Sequence, residues 1–382
     1  MAYRKIKANK IFDGYTFLET NKVLITQANG IIETIVDVKD AGDDIQNFNG
    51  IICPGFINAH CHIELSHLKN KIPQQTGLVE FILQILKYRN ADEDIKQHAM
   101  QLADQELYNT GTVAVGDICN TNDSLSLKKH SKIHWHNFIE VSGFNNDIAE
   151  TRFEIAKNIY EQFCKLSLSN SIVPHAPYSV STKLFNLINQ SAIGKTLCIH
   201  NQETLTENEF FQDKIGGFLH LYESLGVDIT SFLPLQKTSL QYWLPQLKNA
   251  KKIIAVHNTF TTQADINFVK NKKTEQEMYF CLCPNANLYI ENTVPAIDLL
   301  IKNQVNIVLG TDSYASNTQL NIFEEIKTIQ KYFPNIPLQN ILKWATINGA
   351  KALEINDKFG SFEKGKIPGI VLINNEKATR IL

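Results

Sequence analysis

The stretch KTLCIHNQE, residues 195–203, runs from a short apolar segment directly into side chains that can hold a metal ion or a proton. Seven other segments have the same form, and stretches with helix-like apolar spacing lie between most of them. Near-continuous apolar strands that alternate with helices are typical of a parallel sheet buried on both faces. Eight such units favour a closed (β/α)8 TIM barrel, an α/β fold, over an open sheet.

The residues that end these apolar runs are the candidates for chemistry, because barrels of this type carry their active sites at the C-terminal ends of the strands. The other seven runs are GIICPGFINAHCH (50–62), GTVAVGDICN (111–120), KIHWHNFIEVSG (132–143), NSIVPHAPYSV (170–180), KKIIAVHNTF (251–260), MYFCLCPNAN (278–287) and VNIVLGTDS (305–313). Across all eight runs, the metal-capable or ionisable residues at the ends are His60, His62, Asp117, Glu140, His175, His200, Glu203, His257 and Asp312.

The two ends of the chain differ from this middle region. Residues 3–50 and the segment GSFEKGKIPGIVLINNEKATRIL (360–382) contain short strand-like runs between turn residues, without a helical period. We therefore expect residues 1–52 and 354–382 to pair into a small β-sandwich domain. The barrel would then span residues 53–353.

Composition excludes several classes of protein. The 382 residues have a formal net charge of −2, so an electrostatic nucleic-acid partner is not expected. No apolar run reaches the roughly 18–20 residues that a membrane helix needs, and the first residues lack the apolar core of a secretory signal. The seven cysteines show no disulfide-scaffold spacing, which favours the reducing cytoplasm.

Two histidines, separated by one cysteine, end the first run as His60-Cys61-His62. Residues i and i+2 of a strand point to the same side, so both rings can reach one ion at about 2.0–2.1 Å. A lone pair of this kind is more often structural. The chain also contains His134-Trp135-His136, but this pair opens its run and is expected at the opposite end of the barrel, with a structural role.

Further donors extend this first pair. His200 ends the fifth run and Asp312 the eighth, which predicts three nitrogens and one carboxylate around a divalent ion. Asp312 alone would suit a turn or a helix cap equally well. Glu203 stands just beyond His200 as a candidate general acid or base, and His257 is placed to orient water, with a core histidine as its alternative reading.

Taken together, several motifs resemble the amidohydrolase superfamily. They are PGFINAHCHIELS, HAPYSVS, IHNQETLTE, VHNTF, CPNANL, GTDSYASNTQLNIFEEI and ATINGAKAL. More narrowly, they are similar to its branch of aromatic-ring deaminases and chlorohydrolases, which includes adenosylhomocysteine, guanine and aminofutalosine deaminases. The resemblance covers about residues 50 to 370.

This resemblance implies a role for each candidate. One ion, with zinc favoured and iron as the alternative, would be bound by His60, His62, His200 and Asp312. Glu203 would shuttle a proton to the ring nitrogen, His257 and Asp312 would help take the proton of the attacking water, and His175 would face the pocket. Binuclear members have a lysine on the fourth strand; SIVPHAPYS has none, so one metal is expected.

Substrate recognition is less well defined by the sequence. Glu80 matches a position where relatives place polar groups against a ribose, although a surface carboxylate is the alternative, and Asn317 would help shape the pocket. Residues 207–234 are rich in aromatic residues and would form either a lid or a packed helical excursion. The similarity favours a 6-aminopurine nucleoside-like substrate, with aminofutalosine as one candidate.

Three functions remain open from the sequence. The first is hydrolytic deamination with release of ammonia from an aminopurine-like ring. The second is a chlorohydrolase or cyclic amidohydrolase of the same fold, and the third is a non-catalytic binding or scaffold barrel. The expected partner is a small-molecule substrate, and a homodimer is the expectation by analogy.

Overall fold

The two chain ends build one small domain. The computed structural model describes residues 3–166, 168–272 and 275–382. Strands from the first part of the chain are β1 (Tyr3–Ile11), β2 (Lys22–Gln27), β3 (Ile32–Asp37) and β4 (Ile45–Pro54). They join the last two strands, Ile370–Asn374 and Lys377–Arg380, in one six-stranded mixed sheet. Pairing of the ends is thus observed, and the boundaries 1–52 and 354–382 remain our proposed division.

Eight parallel strands form the middle of the chain. They are β5 (Phe56–Cys61), β6 (Thr112–Cys119), β7 (His134–Val141), β8 (Ser169–Pro174), β9 (Thr196–Asn201), β10 (Lys252–His257), β11 (Glu277–Leu282) and β12 (Asn306–Leu309). The terminal pair described above is then β13 and β14. Every residue of β6, β9 and β10 is buried, as strands covered on both faces require.

These eight strands close into a ring. The hydrogen-bonded ladders run from β5 to β8 and from β9 to β12. The first gap is bridged by the amide of His200, which donates to the carbonyl of His175 at 3.0 Å. The second is bridged by the amides of Thr311 and Asp312, which donate to the carbonyl of His60 at 3.1 and 3.2 Å. The predicted (β/α)8 barrel is confirmed.

Helices cover the outside of this barrel. Their bounds are α1 (Leu78–Tyr88), α2 (Glu93–Asn109), α3 (Leu125–His130), α4 (Ala149–Cys164), α5 (Thr182–Ser191), α6 (Leu205–Asp213), α7 (Phe218–Ser224), α8 (Ser239–Trp243), α9 (Gln263–Asn271), α10 (Pro284–Glu291), α11 (Ile297–Lys302), α12 (Ile322–Tyr332), α13 (Leu338–Lys343) and α14 (Gly349–Ala352). Within the described ranges, none combines the length and the apolar character needed to cross a bilayer.

Local sequence explains where several of these helices begin. The Thr262 hydroxyl accepts the amide of Asp265, whose carboxylate accepts the amide of Thr262 in return, a capping box that starts α9. Ser181 accepts the amide of Leu184 and starts α5 in a similar way. Such caps set the helix entry directly after each loop, and these loops carry the strand-end residues.

A buried ion pair lies beneath the strand ends. The Lys128 ammonium is 2.5 Å from Asp117 Oδ2 and donates to Asn137 Oδ1 at 2.8 Å. The other oxygen of Asp117 accepts the amide of Ile63 at 2.8 Å, next to His62. Burial is the largest single effect and alone would lower the pKa of Lys128, but the charge and hydrogen bond of Asp117, together with Cys119 and Glu64, outweigh it and the pKa is raised. The pair therefore ties the segment that carries His62 to β6.

Replacing Lys128 by Met should lower the free energy of unfolding by about 3–5 kcal/mol, because Asp117 would be left buried without its counter-charge. Denaturant unfolding monitored by circular dichroism would measure the change. The double variant Asp117→Asn with Lys128→Met should recover part of the loss, since no unpaired charge remains. Equal stability of Lys128→Met and the unmodified protein would contradict this account of the pair.

Candidate functional site

The four predicted metal ligands converge at the C-terminal mouth of the barrel. His62 Nε2 lies 3.1 Å from His60 Nε2 and 3.2 Å from His200 Nε2. Asp312 Oδ1 lies 3.4 Å from His60 Nε2 and 3.3 Å from His62 Nε2. Ligand atoms of His60, His200, Asp312 and also His257 all lie within 4.8 Å of one another. The structure therefore brings together residues that are far apart in the sequence.

Two residues of this cluster, His257 and Asp312, have left-handed backbone conformations at the strand ends. His257 ends β10 with φ of 74°, and Asp312, just after β12, has φ of 57°. Non-glycine residues adopt this left-handed region at a cost, which folded proteins accept mostly where function requires it. A parallel bridge between Cys61 and Asp312 sets the carboxylate beside the histidines of β5.

The donor set fits a divalent ion. His200 Nδ1 lies 2.8 Å from the His175 carbonyl, so this nitrogen carries the proton and Nε2 presents a lone pair to the cluster. Burial, with the neighbouring histidines, lowers the pKa of His200 to about 4, so the ring is neutral at physiological pH. Ligands at about 2.0–2.1 Å from zinc are separated by roughly 3.3 Å, close to the spacing observed here.

Glu203 and His257 face each other beside this cluster. His257 Nε2 lies 3.5 Å from Glu203 Oε1, and both side chains are almost completely buried. Burial raises the pKa of Glu203 well above its ordinary value, and the charge of Asp312 adds to the effect. Burial lowers the pKa of His257 to about 3. The pair can therefore hold one proton on the carboxyl group beside a neutral imidazole.

Neighbouring groups orient both residues. Glu207 Oε2 accepts the amide of Glu203 at 3.3 Å, at the start of α6. The Asn287 amide nitrogen lies 3.4 Å from His257 Nδ1 and donates to Thr259 at 2.8 Å. The contact with Asn287 holds the His257 ring with Nε2 towards Glu203, and this nitrogen faces the metal-capable cluster.

A cavity of about 400 Å³ opens onto these residues. Its walls are mostly apolar, and two arginines, Arg89 and Arg152, also line it. Within the described ranges neither guanidinium forms an ion pair. The apolar lining includes Phe81, Ile82, Phe144, Leu221 and Tyr222. Its volume is within the range of small-molecule sites.

The segment 207–234, predicted as a lid or a helical excursion, contributes part of this wall. It contains α7, whose Leu221 and Tyr222 line the cavity together with Leu225 and Val227. The Tyr222 hydroxyl donates to the carbonyl of Tyr178, which fixes α7 against the barrel. The segment is therefore a packed helical wall that covers one side of the cavity.

Of the three residues expected to bind substrate, one lines the cavity and two do not. His175 lines the cavity. Glu80 is not among the lining residues; its carboxylate accepts the side-chain amide of Gln84, one turn along α1. Asn317 donates to the carbonyl of Thr311 at 3.0 Å and to Glu325 at 2.9 Å, beside the cavity rather than in its wall. The structure thus brings only His175 of this group to the cavity.

The second HxH pair lies away from the cluster. His134 and His136 belong to the beginning of β7, at the opposite end of the barrel from the metal ligands. Burial lowers the pKa of His136 to about 3, and neither of its ring nitrogens has a hydrogen-bond partner in the described part of the chain. Their position agrees with the structural role predicted for them.

Several residues that reach the cavity had no assigned role in the sequence. Glu140 ends the third apolar run, a signal that marked its position but not its function. Asn120 follows β6 in the same way. Arg89 and Arg152 carry no local signal, because only the packing of α1 and α4 directs them to the cavity.

Comparisons with known proteins agree with this geometry. A 5'-deoxyadenosine deaminase of Methanococcus vannielii is 28% identical over 357 residues, which cover 89% of this chain and 78% of that protein. The crystal structure of Helicobacter pylori aminofutalosine deaminase in complex with methylthio-coformycin has a TM-score of 0.80 at 22% identity, covering 97% of this chain and 93% of that one.

A second solved structure, an adenosine deaminase from Xanthomonas campestris with bound zinc, has a TM-score of 0.72 at 22% identity and covers 97% of this chain and 84% of that one. At these identities the two structures establish the fold. The model of the amidohydrolase family, whose members bind a divalent metal, matches residues 51–381. The chain belongs to the amidohydrolase family of hydrolases, which act on carbon–nitrogen bonds.

Proposed function

We propose that this protein is a metal-dependent deaminase that releases ammonia from the aminopurine ring of a nucleoside. The observation that carries the proposal is the buried Glu203 carboxyl group beside a cluster of metal-capable donors and across from His257. The deaminases named among its relatives support it. The resident cofactor would be one divalent ion, zinc by preference and iron as the alternative, on His60, His62, His200 and Asp312.

Each residue would have a distinct part in the reaction. A divalent ion in this site would supply a Lewis acid and lower the pKa of water towards about 7. Asp312 and His257 would accept the proton of the attacking water. Glu203, protonated because of its burial, would deliver a proton to the ring nitrogen next to the carbon under attack. The proton taken from water would then pass to the exocyclic amine, which would leave as ammonia, while the new hydroxyl group would return a proton to Glu203.

A coupled ammonia assay tests this proposal. The panel should include 5'-deoxyadenosine, adenosine, methylthioadenosine, S-adenosylhomocysteine, aminofutalosine, guanine and cytosine. We expect ammonia from at least one adenine nucleoside. Release of chloride from a chlorotriazine, or ring opening of a cyclic amide, without any ammonia from the panel would contradict deamination.

The cavity also supports a substituent on the 5' carbon of the nucleoside. Its long apolar wall suits a hydrocarbon, thioether or aryl group. Arg89 and Arg152, which form no ion pair in the described part of the chain, suit a terminal anion. We therefore expect Arg152→Met and Arg89→Met to raise KM for a substrate with a carboxylate tail, such as S-adenosylhomocysteine, by about tenfold or more. KM for 5'-deoxyadenosine, which has no tail, should stay within about threefold; equal effects on both would contradict this arrangement.

We also propose a cytoplasmic location for the protein. All seven cysteines are free, and six of them are buried, as expected for a cytoplasmic enzyme. The partner would be the small-molecule substrate alone. A homodimer remains the proposed assembly by analogy, and analytical ultracentrifugation would test it.

A further inference from the structure

Glu140 lines the cavity and has one carboxylate oxygen without a hydrogen-bond partner among the described residues. It lies at the end of β7, lines the cavity, and its side chain is only 6% exposed. Oε1 accepts the side-chain amide of Asn120 at 2.8 Å, whereas Oε2 has no hydrogen-bond partner among the described residues. A buried carboxylate oxygen without a partner is costly, and its presence in a cavity wall points to a donor that arrives with the ligand.

The adjacent histidines do not supply that donor. His200 Nδ1 lies 3.7 Å from Glu140 Oε2, but it already donates to the His175 carbonyl at 2.8 Å. The Ser179 hydroxyl donates to the carbonyl of Ala176 at 3.1 Å and so accepts from His175 Nδ1 at 2.7 Å. The second nitrogen of His175, Nε2, is therefore a hydrogen-bond acceptor, like Glu140 Oε2.

Two acceptors thus lie side by side in the wall of one cavity. Ligand atoms of Glu140, His175 and His200 lie within 4.8 Å of one another. A second metal ion is disfavoured there, because His200 Nδ1 carries a proton. Two neighbouring hydroxyl groups on a ligand would offer one donor for each of these acceptors.

The geometry points to Glu140, assisted by His175, as the residue that binds the ribose hydroxyls of the nucleoside. This inference rests on the proposed function. A carboxylate that accepts from a ribose hydroxyl is a recurrent mode of nucleotide recognition. The role falls to a residue of β7 and not to Glu80, whose carboxylate is engaged with Gln84 on α1.

Three substrates and a small set of variants, including Glu80→Gln, test the inference. We would measure kcat/KM for adenosine, 2'-deoxyadenosine and 3'-deoxyadenosine. The proteins compared are the unmodified protein, Glu140→Gln and Glu140→Asp. Glu154→Gln, at an exposed position of α4, is the control. The unmodified protein should prefer adenosine by about a hundredfold over at least one deoxy analogue, since hydrogen bonds to charged groups discriminate strongly. Glu140→Gln should lower this preference to below about fivefold, mainly through KM, and Glu140→Asp should retain part of it.

The outcomes separate this inference from the proposed function. Absence of ammonia from every aminopurine nucleoside would defeat the proposed function itself. Deamination with no preference for adenosine in the unmodified protein, or with the preference intact in Glu140→Gln, would overturn only the role of Glu140. Loss of the preference in Glu80→Gln instead would return the role to α1. A second equivalent of metal that disappears in Glu140→Gln would identify a cation site and also overturn the inference.

Discussion

Replacing Glu203 by Gln is expected to lower kcat for deamination by about a thousandfold or more while metal content stays at one equivalent. The amide has nearly the same shape as the carboxylic acid, but it cannot deliver a proton and recover it in each cycle. KM should change little, because the variant keeps the shape of the cavity. Steady-state ammonia release, with metal quantified by inductively coupled plasma spectrometry, measures both quantities.

A matched control lies on the next helix. Glu209 is on α6, outside the cavity wall, so Glu209→Gln should retain full activity. The comparison separates loss of the proton carrier from a general effect of removing a negative charge near the site. Turnover by Glu203→Gln at the unmodified rate, with a full complement of metal, would remove Glu203 from the mechanism.

Removal of the metal should lower activity about as much as Glu203→Gln does. Dialysis against a strong chelator is expected to lower activity by about a thousandfold or more, because a Lewis acid in such a site is worth several kcal/mol in the transition state. Zinc or iron(II), added back in stoichiometric amounts, should restore activity, and the metal that restores more identifies the better cofactor. The melting temperature should rise with added metal, since only the folded chain presents the assembled donors.

The two HxH pairs provide an internal comparison for this result. His62→Gln should lose stoichiometric metal, because its ring nitrogen lies within 3.3 Å of Asp312 and closer still to two other histidines. His134→Gln, at the opposite end of the barrel, should keep it. Full metal content and activity in His62→Gln would exclude His62 from the set of ligands.

The position of an ionisable residue at the end of an apolar run was enough to predict most of the residues that converge at the mouth of the barrel. The six residues lie in the last positions of buried strands or just after them, and parallel strands bring their C-terminal ends to one face. They are His60, His62, His200, Glu203, His257 and Asp312. The prediction needed no knowledge of distances, because alternation along each strand already decides which way a side chain points. The pairing of the two chain ends could be predicted from strand-like runs at both ends, although the structure joins them in one six-stranded sheet and the prediction was a sandwich.

The helices gave less information about the site. Glu80 and Phe81 are neighbours on α1, yet only Phe81 lines the cavity, because the packing of the helix decides which side faces inward. Arg152 reaches the cavity from α4 for the same reason. Asn317 was expected near the substrate, but the buried Glu325 on α12 attracts its amide. Such choices depend on contacts between distant segments, which local patterns do not contain.

Closure of the ring has a consequence for the order of events during synthesis. The side chains of Asn58 and Thr311 hydrogen-bond across a separation of 253 residues, where the last strand meets the first. A ribosome releases His60 and His62 long before Asp312, and β4 must wait still longer for β13. The four candidate ligands can therefore come together only after Asp312 has left the ribosome, so capture of a metal ion would have to follow synthesis of all eight barrel strands.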